Sequence, residues 1–505
     1  MDRRDFLKTA GLAAASLAVE GCASPLGRPE RAHSAVRPNI LFCITDDQSW
    51  VHAGAYGSKM VKTPAFDRLA HEGVLFTHAF VSAPSCCPSR GSILTGQAFY
   101  RLREGAQNHC LLDASFDVYP EILEQAGYYV GFTGKGWGPG DFKAGGRTRN
   151  PAGPEYNKIR TVPPTKSIDT SDYAANFDEF LKARPASKPF CFWYGSLEPH
   201  RTYEKGSALR LDKKLADAEV PPFLPDAKEV REDILDYAAE IDWSDTHLAR
   251  MLKNLEDSGE LDNTIIVATS DNGMPFPRAK ATLYDYGTRE PLAIRWGAKV
   301  KAGRVIDDFI SFTDFAPTFL EAAGIEPTCE MTGRSFLPVL LASRSGQVDS
   351  SRDHVIIGRE RHQPLAFANL DDSAPCRAIR TADYLYIRYY NPGAPIAGEE
   401  KPGYRDVDTG PTKTFMLQSE NRDKYRELFE LAFGPRPAEE LFDVRKDPAQ
   451  IHNVADDLRY ADVKRKLSEQ MNKELIKTKD PRILGDVKHF SRHFVLTGEY
   501  KDVKK

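Results

Sequence analysis

The sequence predicts an α/β protein in which helices cover both faces of a large, mostly parallel β-sheet, followed by a smaller α+β domain with an antiparallel sheet. Three observations predict this fold. Four apolar runs have the length of buried strands, and segments with helical periodicity separate them. Each run ends in a polar loop. Toward the C-terminus, apolar and polar residues alternate one by one, which is typical of antiparallel strands.

The composition is that of a globular chain. Its 505 residues are enough for two domains, and 28% of them are charged and 41% apolar. A net charge of −4 gives no electrostatic footprint for nucleic acid, so we expect no nucleic-acid partner. Eight cysteines are too few for a dense disulfide framework, and they form no zinc-type Cys/His cluster. No apolar run has transmembrane length.

The first 37 residues are predicted to be an export signal and linker that lie outside the folded protein. Twin arginines, Arg3–Arg4, precede a short alanine-rich apolar run over Thr9–Val19. This pattern is typical of a twin-arginine signal. The export machinery is therefore an expected partner, and the expected location is periplasmic or at the cell surface. An amphipathic surface helix is the alternative, and Cys22 leaves a lipid anchor open although the residue two before it is not small.

The first predicted core strand is Ile40–Thr45, a continuous apolar run with β-branched residues. It ends in two adjacent carboxylates, Asp46 and Asp47. Two acids at the end of a buried strand need a compensating charge, which a hard divalent cation supplies. The alternative is that Asp47 caps a helix by accepting backbone N–H bonds.

Two further apolar runs, Tyr128–Thr133 and Phe190–Gly195, are also predicted as core strands. The first precedes Lys135 in a glycine-rich turn, where the backbone and the ammonium group can approach an anion. An ordinary exposed turn is the alternative for Lys135. A lone histidine is more often structural, but His200 lies just beyond the end of a core strand, which favours a chemical role.

The fourth predicted core strand is Thr264–Thr269, which precedes Asp271 and Asn272. A long amphipathic helix over Asp233–Asp257 comes before it, and we assign that helix no chemistry. Because ligands bind at the carboxyl ends of parallel strands, the sheet should bring together residues that are far apart in the chain. These are Asp46, Asp47, Lys135, His200, Asp271 and Asn272. An all-oxygen set among them favours Ca²⁺ or Mg²⁺ over zinc: Asp46, Asp47, Asp271 and Asn272.

A cysteine-containing segment, Ser85–Gly96, completes the predicted site. Pro88 suits the first helical position and the glycine at the end of the segment suits the helix C-terminus. Cys86 would then lie at the helix N-terminus, where negative charge is favoured, and Arg90 would lie one turn further on the same side. A thiol beside a cation suits an anionic substrate or covalent chemistry. The alternative is an ordinary pair of buried cysteines.

The same segment resembles the signature of type I sulfatases, which is Cys-x-Pro-Ser-Arg followed by Leu-Thr-Gly. The matching residues are Cys86, Pro88, Ser89, Arg90, Leu94, Thr95 and Gly96. The resemblance implies an alkaline-phosphatase-like fold and a sulfated saccharide as the substrate. It also implies that Cys86 is oxidised to Cα-formylglycine by a formylglycine-generating or maturase enzyme.

The resemblance further implies roles for residues that match the family's motifs. Lys135 and Lys280 resemble lysines that hold the sulfate, with Arg90 adding positive charge. His200 resembles the histidine that protonates the leaving group. The implied calcium ligands are Asp46, Asp47, the formylglycine made from Cys86, Asp271 and Asn272.

Two segments narrow the resemblance to the N-sulfoglucosamine sulfohydrolases: Ser270–Pro277 and Leu283–Leu292. O-sulfated polysaccharides fit an exported enzyme equally well, so the choice between N- and O-sulfate stays open. One position departs from the family's pattern. Family members often carry a histidine that assists the formylglycine hydroxyl, and Trp137 stands at the matching position. His109 is our candidate for a replacement base.

We place the catalytic domain at residues 38–365 and the C-terminal α+β domain at residues 366–505. Two other functions remain compatible with the sequence. One is a phosphohydrolase or phosphonate monoester hydrolase of the same superfamily, because a fold does not determine the chemistry. The other is an exported glycan-binding protein in which Cys86 is never modified.

Overall fold

The computed structural model describes residues 37–363, 373–401 and 403–490, and the backbone of residues 492–495 and 499–502. The predicted export segment and Cys22 lie outside these residues. Among the helices that are described, none is both long and apolar enough to span a membrane.

The described strands form one large sheet, a four-stranded sheet and two small pairs. In chain order they are β1 (Asn39–Thr45), β2 (Val74–Phe76), β3 (Ala79–Phe80), β4 (Tyr129–Gly134), β5 (Phe190–Gly195), β6 (Thr264–Ser270), β7 (Leu292–Arg295), β8 (Arg304–Ile306), β9 (Ile310–Ser311), β10 (His354–Arg359), β11 (Cys376–Thr381), β12 (Tyr384–Tyr389), β13 (Glu439–Asp443), β14 (Arg492–Val495) and β15 (Glu499–Asp502).

The large sheet has seven strands in the order β4-β5-β1-β6-β7-β2-β8. Only β7 runs antiparallel to its neighbours, so the prediction of a mostly parallel sheet is confirmed. The four predicted core strands are adjacent in this sheet as β4, β5, β1 and β6. Their pairing aligns the strand ends, with Gly134 opposite Gly195 and Thr45 opposite Ser270. The polar residues that follow these strands therefore emerge at one edge.

Helices pack on the large sheet and on the C-terminal sheet. In chain order the α-helices are α1 (Pro64–Glu72), α2 (Cys86–Thr95), α3 (Tyr119–Gln125), α4 (Tyr173–Ala183), α5 (Ser207–Arg210), α6 (Lys228–Asp257), α7 (Asp285–Thr288), α8 (Phe315–Ala322), α9 (Leu337–Leu341), α10 (Pro411–Leu417), α11 (Ser419–Lys424), α12 (Arg426–Phe433), α13 (Ala461–Lys477) and α14 (Pro481–Leu484). Apolar clusters fill the spaces on both faces of the large sheet. This arrangement of layers agrees with the predicted fold class.

Two helix starts differ from the prediction. Helix α2 begins at Cys86 and not at Pro88. Proline is tolerated anywhere in the first turn, where backbone N–H groups have no intrahelical partner, so it does not mark the first residue uniquely. Gly96 ends this helix in the left-handed conformation, with φ of 66°, as expected of a glycine cap. Helix α6 begins at Lys228, before the predicted Asp233, because the buried Val230 extends its packing face.

The four-stranded sheet is antiparallel, in the order β10-β11-β12-β13, which confirms the predicted antiparallel sheet of the C-terminal part. Its strand β10 precedes the boundary that we placed after residue 365, and the division into two domains stays a prediction. A buried ion pair fastens this sheet to α7, since Arg380 contacts both carboxylate oxygens of Asp285 at 2.8 Å.

Phe42 occupies the centre of β1 and of the core beneath it. Its ring contacts Trp193, Phe315 and Phe319, with centroid distances of 4.8, 5.3 and 5.8 Å. Phe42→Ala should lower the free energy of unfolding by about 3–5 kcal/mol, because it leaves a cavity between these rings. Urea denaturation would measure this change. Leu458→Ala, at a residue that is 88% exposed, should change it by less than about 0.5 kcal/mol, and equal effects would contradict the packing.

Candidate functional site

The residues predicted to meet at the carboxyl ends of the strands do so. Asp46 follows β1, Lys135 follows β4 and Asp271 follows β6. Asp46 and Asp271 are fully buried, and Lys135 Nζ contacts Asp46 Oδ2 at 2.5 Å. The parallel strands thus assemble one charged cluster from distant parts of the chain, since Asp46 and Lys135 alone are 89 residues apart.

Three carboxylates and a thiol crowd together at the centre of the cluster. Asp46, Asp47, Asp271 and Cys86 each offer a ligand atom, and these atoms lie within 4.8 Å of one another. Asn272 Nδ2 donates to Asp47 Oδ1 at 2.7 Å, while its own Oδ1 is buried and accepts no hydrogen bond from the described residues. Buried carboxylates and an unsatisfied amide oxygen are what a hard divalent cation requires, so these residues fit a Ca²⁺ or Mg²⁺ site.

The pKa values of the carboxyl groups reflect this crowding. Burial, together with the neighbouring carboxylates of Asp46 and Asp271, raises the pKa of Asp47 to about 6 against the opposing charge of Lys280. Burial also disfavours ionised Asp46, but Lys135 and other nearby cations outweigh it and hold the Asp46 pKa well below its usual range. Negative charge is therefore concentrated here, and a bound cation would stabilise it.

Cys86 is the first residue of α2, and its Sγ lies 3.4 Å from Asp46 Oδ1. The preceding residue, Ser85, is fixed by a 2.7 Å hydrogen bond between its Oγ and His362 Nδ1. Burial, reinforced by Asp46, raises the Cys86 pKa well above its usual value, although the helix N-terminus and Arg90 favour negative charge. Burial therefore opposes ionisation of the unmodified Cys86 thiol.

Arg90 positions its neighbours. It is fully buried on α2, and its Nε donates to Asp271 Oδ2 at 2.7 Å. Its Nη1 donates to the carbonyl groups of Lys135 and Gly136 at 2.7 and 2.9 Å. Arg90 therefore connects the cysteine helix, the acid after β6 and the lysine loop after β4.

Two further side chains of the site, Lys280 and His200, lie beside Asp47. Lys280 Nζ donates to Asp47 Oδ2 at 2.7 Å and lies 3.3 Å from Asp408 Oδ2. His200 Nε2 lies 3.8 Å from Asp47 Oδ2, and its Nδ1 is 2.6 Å from the carbonyl oxygen of Arg201. That carbonyl can only accept, so Nδ1 is protonated, and Nε2, which faces the cluster, can deliver a proton when both ring nitrogens are protonated. The His200 side chain is 38% exposed and stands at the mouth of the site.

A cleft of about 600 Å³ opens over the cluster, and its volume suits a small organic ligand. Cys86, Lys135, His200 and Lys280 line its floor. The two lysines share the lining of the cleft with carboxylates, which include Asp46, Glu240 and Asp408. The arrangement can bind an oxyanion beside residue 86 and supply a proton from His200.

Trp137 lies away from the cleft. It is buried in the core, and its Nε1 donates to the carbonyl oxygen of Cys87 at 3.2 Å. His109 does line the cleft, and its Nδ1 is buried without a partner among the described residues. Burial, with help from the charges of Lys280 and Lys135, lowers the pKa of His109 to about 4, so its ring is neutral at neutral pH. His109 stays our candidate for the replacement base.

Sequence reasoning missed several acids of the cleft, among them Asp408 and Glu240. Asp408 lies in a Pro/Gly-rich loop that has no periodicity. Glu240 lies on α6, the helix to which we assigned no chemistry, and burial raises its pKa to about 9. Asp233 of the same helix clamps Arg201 through two 2.7 Å ion-pair contacts. For Glu240, the available sequence signal was a charged residue on the buried face of an amphipathic helix.

Known proteins resemble this chain along most of its length. A family model described as Sulfatase matches residues 38–325, and one described as N-sulphoglucosamine sulphohydrolase, C-terminal, matches residues 278–395. An ulvan-active sulfatase of Formosa agariphila is 30% identical over 440 residues, 86% of this chain and 79% of the relative. N-sulphoglucosamine sulphohydrolase of Homo sapiens is 28% identical over 485 residues, 88% of this chain and 91% of the relative.

Solved structures share the fold. One is a protein in complex with its substrate, D-glucosamine-2-N,6-O-disulfate, with a TM-score of 0.64 and 22% identity over 88% of this chain and 99% of that chain. Another is the phosphonate monoester hydrolase of Silicibacter pomeroyi, with a TM-score of 0.62 and 19% identity over 93% of this chain and 100% of that chain. At these identities the similarity shows the predicted alkaline-phosphatase-like fold. Together with the Sulfatase model, which covers more than half of the chain, it shows that this protein belongs to the sulfatase family of enzymes.

Proposed function

We propose that the protein is a calcium-dependent sulfatase that removes sulfate from a sulfated saccharide, with N-sulfated glucosamine as the first choice of substrate. The observation that carries this proposal is the position of Cys86. It begins a helix, lies among three carboxylates that fit a cation, and faces a cleft with two lysines on its floor. The match of residues 278–395 to the sulfamidase C-terminal model favours the N-sulfate.

The proposed enzyme needs two groups beyond the encoded side chains. Ca²⁺, or Mg²⁺ in its place, would be held by Asp46, Asp47, residue 86, Asp271 and Asn272. When bound, the cation supplies positive charge to a sulfate oxygen and offsets the crowded carboxylates. Residue 86 would be Cα-formylglycine, made by a maturase in an exported protein, and its hydrate supplies a nucleophilic hydroxyl for sulfur and a second hydroxyl for sulfate release.

The encoded side chains would orient the sulfate group and stabilise its negative charge. Lys135 and Lys280 each contact a carboxylate of the cation site, at 2.5 and 2.7 Å. With a cation compensating those carboxylates, both ammonium groups can donate to sulfate oxygens, where negative charge is stabilised in the transition state. Arg90 keeps Asp271 and the Lys135 loop in place through its hydrogen bonds.

His200 would donate the proton that the departing amine or alcohol needs. His200→Asn should lower kcat about 10²- to 10⁴-fold on a sulfated sugar, because a sugar oxygen or nitrogen is a poor leaving group without a proton. On p-nitrophenyl sulfate the loss should stay below about tenfold, since nitrophenolate leaves as an anion. Sulfate release from both substrates measures the ratio. His452→Asn, at a side chain that is 80% exposed, is the control. Equal losses on both substrates would contradict the acid role.

Matched N-sulfated and O-sulfated glucosamine saccharides distinguish the two substrate classes. Release of free amine together with sulfate from the N-sulfated sugar supports a sulfamidase. Release of sulfate only from the O-sulfated sugar would instead make this an O-sulfatase. Faster turnover of phosphate or phosphonate esters would favour the phosphohydrolase alternative, and an unmodified thiol at residue 86 in purified native protein would favour the glycan-binding one.

A further inference from the structure

Asp408 lies in the cleft although it comes from the C-terminal part of the chain. Its side chain is 17% exposed, and its Oδ2 lies 3.3 Å from Lys280 Nζ. That oxygen is buried, and none of the described residues donates a hydrogen bond to it. With Oδ2 buried against Lys280, the exposed part of the Asp408 carboxylate is what a ligand in the cleft can reach, and it can accept a hydrogen bond there.

The loop that carries Asp408 is anchored at the residues just before it. Arg359 makes an ion pair with Asp406, and its Nη1 donates to the carbonyl oxygen of Ile396 at 2.9 Å. Lys413 Nζ donates to the carbonyl oxygen of Val407, the residue before Asp408, at 2.7 Å. These contacts fix the backbone around Asp408 without using its carboxylate. The side chain is thus held at the cleft by its neighbours.

The charge of Asp408 indicates what it can bind. A carboxylate accepts hydrogen bonds and repels anions, so Asp408 is unsuited to the sulfate group itself. Lys280, which it approaches, already donates to Asp47. Groups that donate hydrogen bonds and lie next to the sulfate therefore fit best. On a sugar ring these are hydroxyl groups, and one carboxylate can accept from two of them.

We propose that Asp408 accepts hydrogen bonds from hydroxyl groups of the sulfated sugar and so selects a saccharide over other sulfated compounds. This inference rests on the proposed function and adds a specificity residue to it. The sulfate would lie toward residue 86 and the lysines, and the sugar ring would extend to Asp408. Removing the carboxylate should weaken binding of the sugar and leave binding of the anion intact.

The test uses binding, because turnover would mix recognition with chemistry. Isothermal titration calorimetry would measure N-sulfoglucosamine and, separately, inorganic sulfate binding to Cys86→Ala and to the double variant Cys86→Ala/Asp408→Asn. We expect the second substitution to raise the Kd of the sugar about 10- to 100-fold, because a hydrogen bond to a charged group is lost. The Kd of sulfate should stay the same or fall, since a repelling charge is removed. Asp423→Asn, with the same charge change at a side chain that is 75% exposed, is the control.

Two results would overturn the inference. Equal weakening of sugar and sulfate binding would show that Asp408 acts only through Lys280, and unchanged sugar binding would show that it does not contact the sugar. Retained sulfate binding also shows that the variant is folded. Failure of the proposed function has a different signature: matured wild-type protein would release no sulfate from sugars or from p-nitrophenyl sulfate. If the wild type hydrolyses the sugar and the double variant binds it as tightly as Cys86→Ala, only the inference on Asp408 fails.

Discussion

Replacement of Cys86 by alanine is expected to lower kcat by at least about a thousandfold on every sulfate substrate, because it removes the only covalent nucleophile of the proposed reaction. Residue 86 lies beside Asp46 in the cation cluster and at the floor of the cleft. A methyl group there can neither be oxidised nor ligate a cation. Initial rates of sulfate release with p-nitrophenyl sulfate and with N-sulfoglucosamine measure the loss.

The neighbouring cysteine provides a matched control. Cys87 lies on the same helix and is equally buried, but its thiol contacts the carbonyl oxygen of Pro139. Cys87→Ala should keep kcat within about tenfold of wild type, since a small packing loss does not touch the reacting atoms. Mass spectrometry of the wild-type peptide should show that residue 86 has exchanged a sulfur and two hydrogens for one oxygen. Full activity of Cys86→Ala, or that mass change at Cys87, would refute the assignment.

Asp271→Asn is expected to abolish calcium binding and to reduce activity by at least about a hundredfold. The substitution keeps the shape of the side chain and removes one of the three carboxylates that supply the site with negative charge. Calcium should therefore raise the melting temperature of the wild type and leave that of the variant unchanged, because only a ligand that binds the folded state stabilises it. Elemental analysis and thermal unfolding with and without calcium provide readouts that do not depend on turnover.

Without metal, Asp271→Asn is expected to have the opposite effect on stability. Burial and repulsion from Asp46 raise the pKa of Asp271, and they outweigh the opposing charges of Arg90 and Lys135. Removing the charge should therefore stabilise the metal-free protein relative to wild type. Asp308→Asn is the control, since Asp308 is a buried carboxylate that accepts backbone N–H bonds from Val348 and Asp349, both at 2.6 Å. It should retain calcium. Equal calcium content in wild type and Asp271→Asn would exclude Asp271 as a ligand.

Local sequence patterns determined the elements that carry the site. The apolar runs that form β1, β4, β5 and β6 are buried on both faces of the sheet. A strand buried on both faces has consecutive apolar residues, so the sequence pattern reveals it directly. Parallel strands present their carboxyl ends at one edge, so the residues after them could be brought together without a structure. The joint position of Asp46, Lys135 and Asp271 follows from these two rules alone.

Local patterns also had limits within single elements. Strands β10 and β13 were not predicted, and they lie at the edges of the antiparallel sheet, where β11 and β12 provide their pairing partners. The pKa of Cys86 could not be predicted either. A helix N-terminus lowers it and burial beside Asp46 raises it, and the larger effect depends on packing that the sequence does not display.

Only the tertiary structure decided which side chains reach the cleft. Trp137 matches a catalytic position in the sequence, yet its ring turns into the core and contacts the backbone of Cys87. Asp408 matches no motif, yet ion pairs and backbone hydrogen bonds of its loop hold it beside Lys280, which is more than a hundred residues away. Hydrophobic periodicity indicates which side of a single helix or strand is buried. Contacts between distant loops depend on the path of the whole chain, and no local pattern of residues encodes that path.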